Sequence, residues 1–334
     1  MDSALKSYRA PLRISLAGGG TDHAHHYSRF GGLTVGFTIN RGLEVIPVSA
    51  ARRDLLPDGW ITLKPDDPLV RAARIYLGVP REAEFASRTD VSGVGTGLAT
   101  SAAFLLAFQA AVAQKIGKPE DAAEKTHHIE SVLVGRFSGK QDPYLVAHGG
   151  FQALHISRSG SVMTEPLAVS DSMHRFISDR VLLFHSGVDR APDFMKSRQR
   201  LLPSSTKDDA TMTRVQAIAH EMLRVVEEGL YDQIAPLVAE HWDMKCARTP
   251  YVAPARVLEY IDLAKSLGAD GYKLIGAGGG GYLLLLAPLE RIRDLRCGMA
   301  AVGAHELSFD LDMQGVSESN GQSVQHRRRP ARGA

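Results

Sequence analysis

Three glycine-rich segments mark the places where the backbone of this chain could bind a phosphate group. We call them the first, second and third glycine loops, and they span Gly18–Gly20, Gly93–Gly97 and Gly276–Gly281. Glycine lets backbone N–H groups approach a ligand closely, and a helix that follows adds the positive end of its dipole. One such loop alone is typical of a tight turn. Three of them, two after predicted strands, predict nucleotide or phosphate binding.

Two common nucleotide motifs do not fit the sequence around these loops. Gly276, Gly278 and Gly281 match the dinucleotide pattern G-x-G-x-x-G, but a short strand-like run that ends at Pro288 follows where that motif needs a helix. The segment 135–141, GRFSGKQ, is one residue shorter than a Walker loop and carries glutamine where serine or threonine binds magnesium. The sequence therefore predicts neither a nicotinamide or flavin site nor a P-loop.

Composition argues against several classes of function. The 334 residues carry a net charge of +2, which is too near neutral for nucleic acid or a membrane surface as the main partner. Two cysteines, Cys246 and Cys297, form neither a disulfide framework nor a metal cluster, which is typical of a reducing compartment. The first residues lack the pattern of a secretory signal, and the longest apolar runs are too short to span a bilayer. We expect a cytoplasmic protein.

Predicted strands and helices are mixed without a regular βαβ alternation, which favours the α+β class. The alternating residues Leu12–Ala17 predict a strand that leads into the first glycine loop, and Ser101–Ile116 predict a helix directly after the second loop. A strand is also predicted over 305–314. We expect an N-terminal domain, a C-terminal domain and a disordered basic tail, which cover residues 1–172, 173–316 and 317–334.

Four segments resemble the signature motifs of the GHMP kinases, the superfamily of galactokinase, homoserine kinase, mevalonate kinase and phosphomevalonate kinase. They are Arg9–Asp22, Gly95–Ala103, Gly139–Tyr144 and Lys273–Leu285. The resemblance extends from Arg9 to Gln314 and implies an N-terminal domain like ribosomal protein S5 domain 2 and a ferredoxin-like C-terminal domain. It also implies that ATP, Mg²⁺ and an acceptor alcohol meet in the cleft between these domains.

Within the superfamily, GGGTD at 18–22, GKQD at 139–142 and SGVDRA at 186–191 are most similar to the heptose 7-phosphate kinase branch. This resemblance implies transfer of phosphate from ATP to the anomeric hydroxyl of D-glycero-D-manno-heptose 7-phosphate, which gives the 1,7-bisphosphate. Two alternatives stay open: a kinase of the same fold for another sugar such as fucose, and a non-catalytic nucleotide- or sugar-binding relative. The implied partners are a sugar phosphate and ATP, and a homodimer is compatible with both.

The resemblance places the ATP phosphates on the second glycine loop and on the start of the next helix. The residues implied are Gly93, Gly95, Thr96, Gly97, Leu98, Ala99, Thr100 and Ser101. Ser101 and Glu130 match the family's magnesium ligands, a hydroxyl and a carboxylate of the kind that suits this hard cation. From the residues alone, Ser101 could equally be a helix N-cap, and Glu130 could belong to a solvated helix face.

Two further residues match the catalytic positions of the family. Asp142 would accept the proton of the acceptor hydroxyl or orient that hydroxyl, although a residue before Pro143 is also typical of a turn. Arg13 would neutralise charge on the transferred phosphoryl group, and the alternative is an exposed residue on a half-buried strand.

The acceptor is expected to contact residues from several motifs. These are Gly19, Gly20, Thr21, Asp22, Lys140, Arg190, Lys273, Gly278 and Gly279. Thr21 and Asp22 would face the sugar hydroxyls. Lys140, Arg190 and Lys273 are the candidates for holding the phosphate of the acceptor, since arginine binds phosphate as a fork and lysine as a point charge.

The sequence departs from the family pattern in two places. His23–His26 reads HAHH, which is too tight a spacing for one metal ion without a partner cluster, and it predicts sugar contacts or plain surface. In the second motif, Val91–Ser92 replaces the usual proline pair, Ala99 replaces a glycine and Thr100 replaces a serine. A methyl group at Ala99 would crowd a phosphate or change the backbone angles of the loop.

Overall fold

In the computed structural model of the chain, the described residues are 6–49, 56–91, 95–190, 206–248 and 252–319. The helices are α1 (Ala24–Phe30), α2 (Pro68–Tyr76), α3 (Thr100–Ala113), α4 (Pro119–His128), α5 (Gln141–His148), α6 (Asp171–Arg180), α7 (Thr206–Glu227), α8 (Ile234–Arg248), α9 (Ala255–Ser266) and α10 (Ile292–Ala301). Among the described residues, no helix is both long and apolar enough to cross a membrane.

The strands belong to two antiparallel sheets. They are β1 (Ser7–Ala17), β2 (Gly32–Val48), β3 (Ile61–Thr62), β4 (Glu84–Thr89), β5 (Phe151–Ile156), β6 (Val162–Pro166), β7 (Val181–His185), β8 (Gly271–Leu274), β9 (Tyr282–Leu286), β10 (His305–Glu306) and β11 (Ser317–Ser319). The combination of these sheets with the helices confirms the predicted α+β class.

The first sheet positions the second glycine loop and α3. Its order is β11-β1-β2-β4-β3, and β5 and β6 continue from the other half of the long strand β2. The helix α3 packs against β1 and β2. Its apolar residues cover every face, and nine of its 14 residues are buried, so α3 lies inside the domain rather than on its surface. The start of α3 is therefore fixed by a rigid core.

The second sheet, in the order β10-β7-β9-β8, positions the third glycine loop. That loop connects β8 to β9, and β9 is buried along its whole length. The helices α9 and α10 contribute to a separate apolar cluster on this sheet. A larger cluster contains residues of both sheets, including Ile14 of β1 and Leu284 of β9, and so joins the two halves of the chain.

The end of the chain returns to the first sheet. The tail was expected to be disordered from residue 317, but Ser317–Ser319 forms the edge strand β11 and pairs with β1. The strand ladder is made by backbone groups, which an apolar side-chain pattern does not reveal, and the Ser7 hydroxyl adds a bond to the carbonyl of Ser319. The strand predicted over 305–314 is limited to β10 and one isolated bridge at Leu311. Residues 320–334 lie outside the described part, and the domain division between 172 and 173, which falls within α6, stays a prediction.

Candidate active site

The second glycine loop enters α3 through left-handed backbone positions. Gly95 and Gly97 have φ values of 71° and 81°, and Ala99 follows with 66°. Ala99 is the N-cap of α3 and makes no side-chain hydrogen bond, so the interpretation of Ser101 as the N-cap is wrong. The first N–H groups of α3 have no side-chain cap, and they supply the donors and the positive dipole that a phosphate needs. Gly93 lies outside the described residues.

The third glycine loop and the residues beside it support the second loop by backbone packing. A Cβ on Gly97 would lie 2.3 Å from the carbonyl oxygen of Ile275, and one on Gly281 would lie 2.4 Å from that of Thr96. The N–H of Tyr282 also donates to the carbonyl of Thr96 at 3.0 Å. These positions need glycine because the two backbones touch, and the third loop thereby fixes the shape of the second.

Gly278 and Gly279, predicted as acceptor contacts, lie against Val252. The N–H of Gly279 donates to the carbonyl of Val252 at 2.8 Å, and a Cβ on Gly278 would lie 2.3 Å from Val252 Cγ2. The carbonyl of Gly278 accepts a hydrogen bond from Arg190 Nε at 2.7 Å. The described contacts of these glycines are therefore with the protein, and contact with the acceptor stays a prediction.

Arg190 lies between the third glycine loop and the predicted catalytic pair. Burial is the main cause that lowers its pKa; the positive charge of Arg13 adds to this lowering, and the charge of Asp142 opposes it. Its Nη2 is buried and has no hydrogen-bond partner among the described residues. A cation held this close to the predicted reacting groups suits the charge of a phosphate that is being transferred.

Asp142 and Arg13 form an ion pair that also reaches the second glycine loop. Arg13 Nε and Nη2 both donate to Asp142 Oδ1, at 2.9 and 2.6 Å, and Nη1 donates to the carbonyl of Gly97 at 2.5 Å. The Arg13 side chain is 3% exposed and that of Asp142 is 34% exposed. Arg13 is therefore not a surface residue, and the pairing leaves Asp142 Oδ2 for an acceptor hydroxyl.

Ser101 and Glu130 are in direct contact. Ser101 Oγ donates to Glu130 Oε1 at 2.5 Å, and Ser138 Oγ donates to Oε2 at 3.0 Å. Glu130 lies in the π-helical turn Ile129–Leu133 that continues α4, and it is only 3% exposed, so a solvated helix face is wrong. Burial raises the pKa of Glu130 above its usual value of 4.5, and the charge of Asp142 adds to the rise.

This pair suits a Mg²⁺ ion. Among the described residues, no group of three or more histidine, cysteine, aspartate or glutamate side chains could hold a metal ion by itself. An ion at Ser101 and Glu130 would therefore need further ligands from a bound nucleotide and water. Magnesium is commonly bound through one or two carboxylates, with phosphates and water completing its shell. A buried carboxylate with a raised pKa is also stabilised by a divalent cation. Ser101 and Glu130 would therefore hold the ion together with the phosphates of a nucleotide.

The first glycine loop is fastened by Thr21 and Asp22. Thr21 is fully buried, and its hydroxyl donates to the carbonyls of Gly18 and Leu33, so its described contacts are with the protein and contact with the sugar stays a prediction. Asp22 accepts the N–H of Gly20 on Oδ1 at 2.8 Å and that of the first residue of α5 on Oδ2 at 3.1 Å. Burial raises the pKa of Asp22, but the charge of its histidine neighbour and these N–H donors prevail and lower it. The Asp22 carboxylate thus orients the helix that carries the predicted catalytic aspartate.

Two of the three cations predicted for the acceptor phosphate have other partners. Lys140 Nζ donates to Glu124 Oε1 at 2.5 Å, and Lys140 is 6% exposed. Lys273 Nζ donates to the backbone carbonyls of Ser15 and Leu16, both at 3.0 Å, and burial lowers its pKa to about 7. The described contacts of both lysines are therefore with the protein, and contact with the acceptor phosphate stays a prediction.

Sequence reasoning missed two residues that connect the motifs. Glu124 of α4 accepts hydrogen bonds from Lys140 and from Tyr144 Oη, the latter at 2.6 Å. Gln141 is buried, and its Nε2 donates to Ser15 Oγ of β1 at 2.8 Å. Gln141 stands inside the motif Gly139–Tyr144, directly before the predicted catalytic Asp142, and this position could have drawn attention to it. The sequence around Glu124 carries no comparable signal.

Replacing Ala99 with glycine should relieve backbone strain at the start of α3. A residue with a Cβ costs roughly 1 kcal/mol in this left-handed conformation, and the greater freedom of glycine in the unfolded chain offsets part of the gain. We expect Ala99→Gly to raise the unfolding midpoint slightly and to leave the KM for ATP within about twofold, measured by thermal unfolding and initial rates. Gln114→Gly is the matched control, because Gln114 ends the same helix with φ 50°. A lower midpoint for Ala99→Gly alone would contradict this account.

This chain is similar to sugar kinases over most of its length. The family described as GHMP kinases C terminal matches residues 222–305. A D-glycero-alpha-D-manno-heptose 7-phosphate kinase from Campylobacter jejuni is 21% identical over 329 residues, which cover 92% of this chain and 97% of that protein. A solved D-glycero-D-manno-heptose 1-phosphate kinase from Bacteroides thetaiotaomicron is 19% identical with a TM-score of 0.71, covering 94% of this chain and 99% of that one. Galactokinase from Lactococcus lactis, solved with galactose, is 16% identical with a TM-score of 0.67, covering 94% and 95%.

These likenesses confirm the GHMP kinase fold and the resemblance predicted from the four motifs. The solved structures, at identities below 25%, establish the fold alone. The family match covers helices α8, α9 and α10 and, of the second sheet, strands β8 and β9 with the third glycine loop between them.

Proposed function

We propose that this chain, a phosphotransferase with the GHMP kinase fold, transfers phosphate from ATP to the anomeric hydroxyl of D-glycero-D-manno-heptose 7-phosphate. The observation that carries the proposal is the Arg13 side chain, which joins Asp142 to the carbonyl of Gly97. The guanidinium of Arg13 thereby holds the carboxylate of Asp142, which we expect to face the acceptor hydroxyl, next to the loop that suits nucleotide phosphates. The choice of acceptor follows the Campylobacter jejuni relative, which matches this chain over nearly its whole length.

The residues of the chain would share the reaction in the following way. The N–H groups of Gly95–Ala99 and of the first turn of α3 bind the nucleotide phosphates. Asp142 Oδ2 orients the acceptor hydroxyl and accepts its proton as that oxygen bonds to the γ-phosphorus, while the bond from this phosphorus to the bridging oxygen breaks and ADP leaves. Arg13 and Arg190 balance the negative charge around the phosphorus. A Mg²⁺ ion held by Ser101 and Glu130 supplies charge neutralisation of the phosphates when bound.

A panel of acceptors tests the proposal. We expect ADP release with ATP and Mg²⁺ to be fastest, as kcat/KM, for heptose 7-phosphate, and lower by about 100-fold or more for free heptose, L-fucose, D-galactose and mevalonate. The position of the new phosphate is read by phosphorus NMR of the product. A preference for another sugar would reassign the acceptor, and ATP binding without turnover of any acceptor would favour the non-catalytic alternative.

A further inference from the structure

Three basic residues of α8 lie on one face of that helix. They are His241, Lys245 and Arg248, at spacings of four and three residues, which place side chains above one another on a helix. We call them the basic face of α8. None of them belongs to a motif of the sequence analysis, and each contacts a glycine loop.

His241 lies against the first glycine loop with an unsatisfied ring. It is 1% exposed, and a Cβ on Gly19 would lie 3.9 Å from its Cε1. Neither Nδ1 nor Nε2 has a hydrogen-bond partner among the described residues. Burying such polar atoms without partners is unfavourable by about 1–3 kcal/mol. Burial lowers the pKa of His241, and the nearby Gly19 backbone opposes this lowering. The Gly19 backbone can face only one of the two ring nitrogens, so the other points to a polar group that the described residues do not supply.

Arg248 and Lys245 continue this face along the glycine loops. Lys245 Nζ donates to the carbonyl of Gly276 at 2.5 Å. Arg248 Nη1 lies 3.6 Å from the position of a Cβ on Gly20, and its Nη2 lies 3.3 Å from His25 Nε2. The guanidinium thus lies over the first glycine loop and beside His25 of the HAHH segment. No role has been assigned to this histidine in the candidate active site.

We propose that the basic face of α8 binds the acceptor, and that Arg248 with His25 holds the phosphate group of a phosphorylated sugar. Arginine presents a fork of donors that suits phosphate, and the Arg248 guanidinium borders the first glycine loop beside His25. His241 would donate to or accept from a sugar hydroxyl. This inference deepens the proposed function and rests on its choice of a phosphorylated acceptor.

Variants at Arg248 and His241 test the two halves of the inference by kinetics and by calorimetric binding without ATP. Arg248→Gln should raise the KM for heptose 7-phosphate by about 10- to 100-fold, the equivalent of one or two charge-assisted hydrogen bonds, with kcat and the KM for ATP within about twofold. The affinity for free heptose should stay unchanged in Arg248→Gln.

His241→Leu removes an unsatisfied polar ring, so the unfolding midpoint should not fall. The affinities of this variant for both heptose 7-phosphate and free heptose should nevertheless be about tenfold weaker. Arg224→Gln, on α7 in an exposed pair with Glu228, is the control.

The outcomes separate this inference from the proposed function. If heptose 7-phosphate binds but is not turned over, the proposed function fails. The calorimetric affinities of the variants then still show whether Arg248 and His241 contact this ligand. If Arg248→Gln binds heptose 7-phosphate as tightly as the unchanged protein does, the phosphate site is wrong. The same conclusion follows if the unchanged protein binds free heptose at least as tightly as heptose 7-phosphate. If His241→Leu leaves both affinities unchanged, the ring does not contact the sugar.

Discussion

Asp142→Asn should lower kcat by about 100- to 10,000-fold while leaving the Kd for ATP within about twofold. An asparagine side chain keeps the size of aspartate but cannot take the proton of the acceptor hydroxyl. It also replaces one oxygen with an NH₂ group, which either weakens the two bonds from Arg13 or faces the acceptor with a donor. Initial rates of ADP release and calorimetric titration with ATP measure the two quantities separately.

A second Arg–Asp pair in the chain provides the control for this variant. Arg29 Nη1 and Nη2 donate to the two oxygens of Asp209 at 2.9 and 2.8 Å, on the surface between α1 and α7. Asp209→Asn should change neither kcat nor ATP affinity, because an exposed pair contributes little. Unchanged turnover for Asp142→Asn would remove Asp142 from the reaction. Loss of ATP binding would instead show that Asp142 acts through Arg13 on the second glycine loop.

The predicted pairs that meet in the structure follow from the resemblance to the GHMP kinases. Ser101 and Glu130 are 29 positions apart, and Arg13 and Asp142 are 129 apart, yet each pair is in hydrogen-bond contact. Arg13, Ser101 and Asp142 stand in the motifs that carry the resemblance, whereas Glu130 lies outside them and is implied by the family match alone. The resemblance could therefore identify both pairs without knowledge of the path of the chain between them, although the residues by themselves could not.

The roles of the buried cations could not be predicted in the same way. A lysine in the sequence has a known charge, but its partner depends on which element the fold places opposite it. Lys140 meets Glu124 because α4 packs against α5, and Lys273 reaches from β8 of the second sheet to the carbonyls of Ser15 and Leu16 in β1 of the first. Thr21 was likewise assigned to the sugar from its position, although its hydroxyl is used by the turn itself.

The third glycine loop shows a related limit. Its glycines indicate close approach of the backbone, and the sequence assigns that approach to a ligand. In the structure, Gly281 and the backbone before Gly276 approach the second glycine loop instead. A glycine pattern predicts that something touches the backbone, but it does not distinguish a phosphate from another segment of the same chain.

Glu130→Gln should make the protein more stable without ligands and nearly inactive with them. The pKa of Glu130 is raised in the folded state, so the ionised carboxylate opposes folding, and this penalty grows as the pH rises above the usual value of 4.5. Gln removes the charge and keeps its contacts with Ser101 and Ser138, since hydroxyl groups can donate or accept. We expect a gain of roughly 1 kcal/mol in the free energy of unfolding at pH 8, shrinking toward pH 4. With ATP and Mg²⁺, kcat should fall about 100-fold.

Glu124→Gln is the matched control, because we expect it to change the free energy of unfolding in the opposite direction. Although partial burial raises the pKa of Glu124, its bonds from Lys140 and Tyr144 outweigh that effect and lower it, so its contribution to stability is present above pH 4.5 and disappears as the pH falls. Removing that charge should destabilise the protein at pH 8 and leave Lys140 without an ionic partner. Urea unfolding at several pH values, without nucleotide or metal, measures both variants. If Glu130→Gln lost stability as Glu124→Gln does, the buried carboxylate would be a structural group, and Mg²⁺ would need ligands other than Ser101 and Glu130.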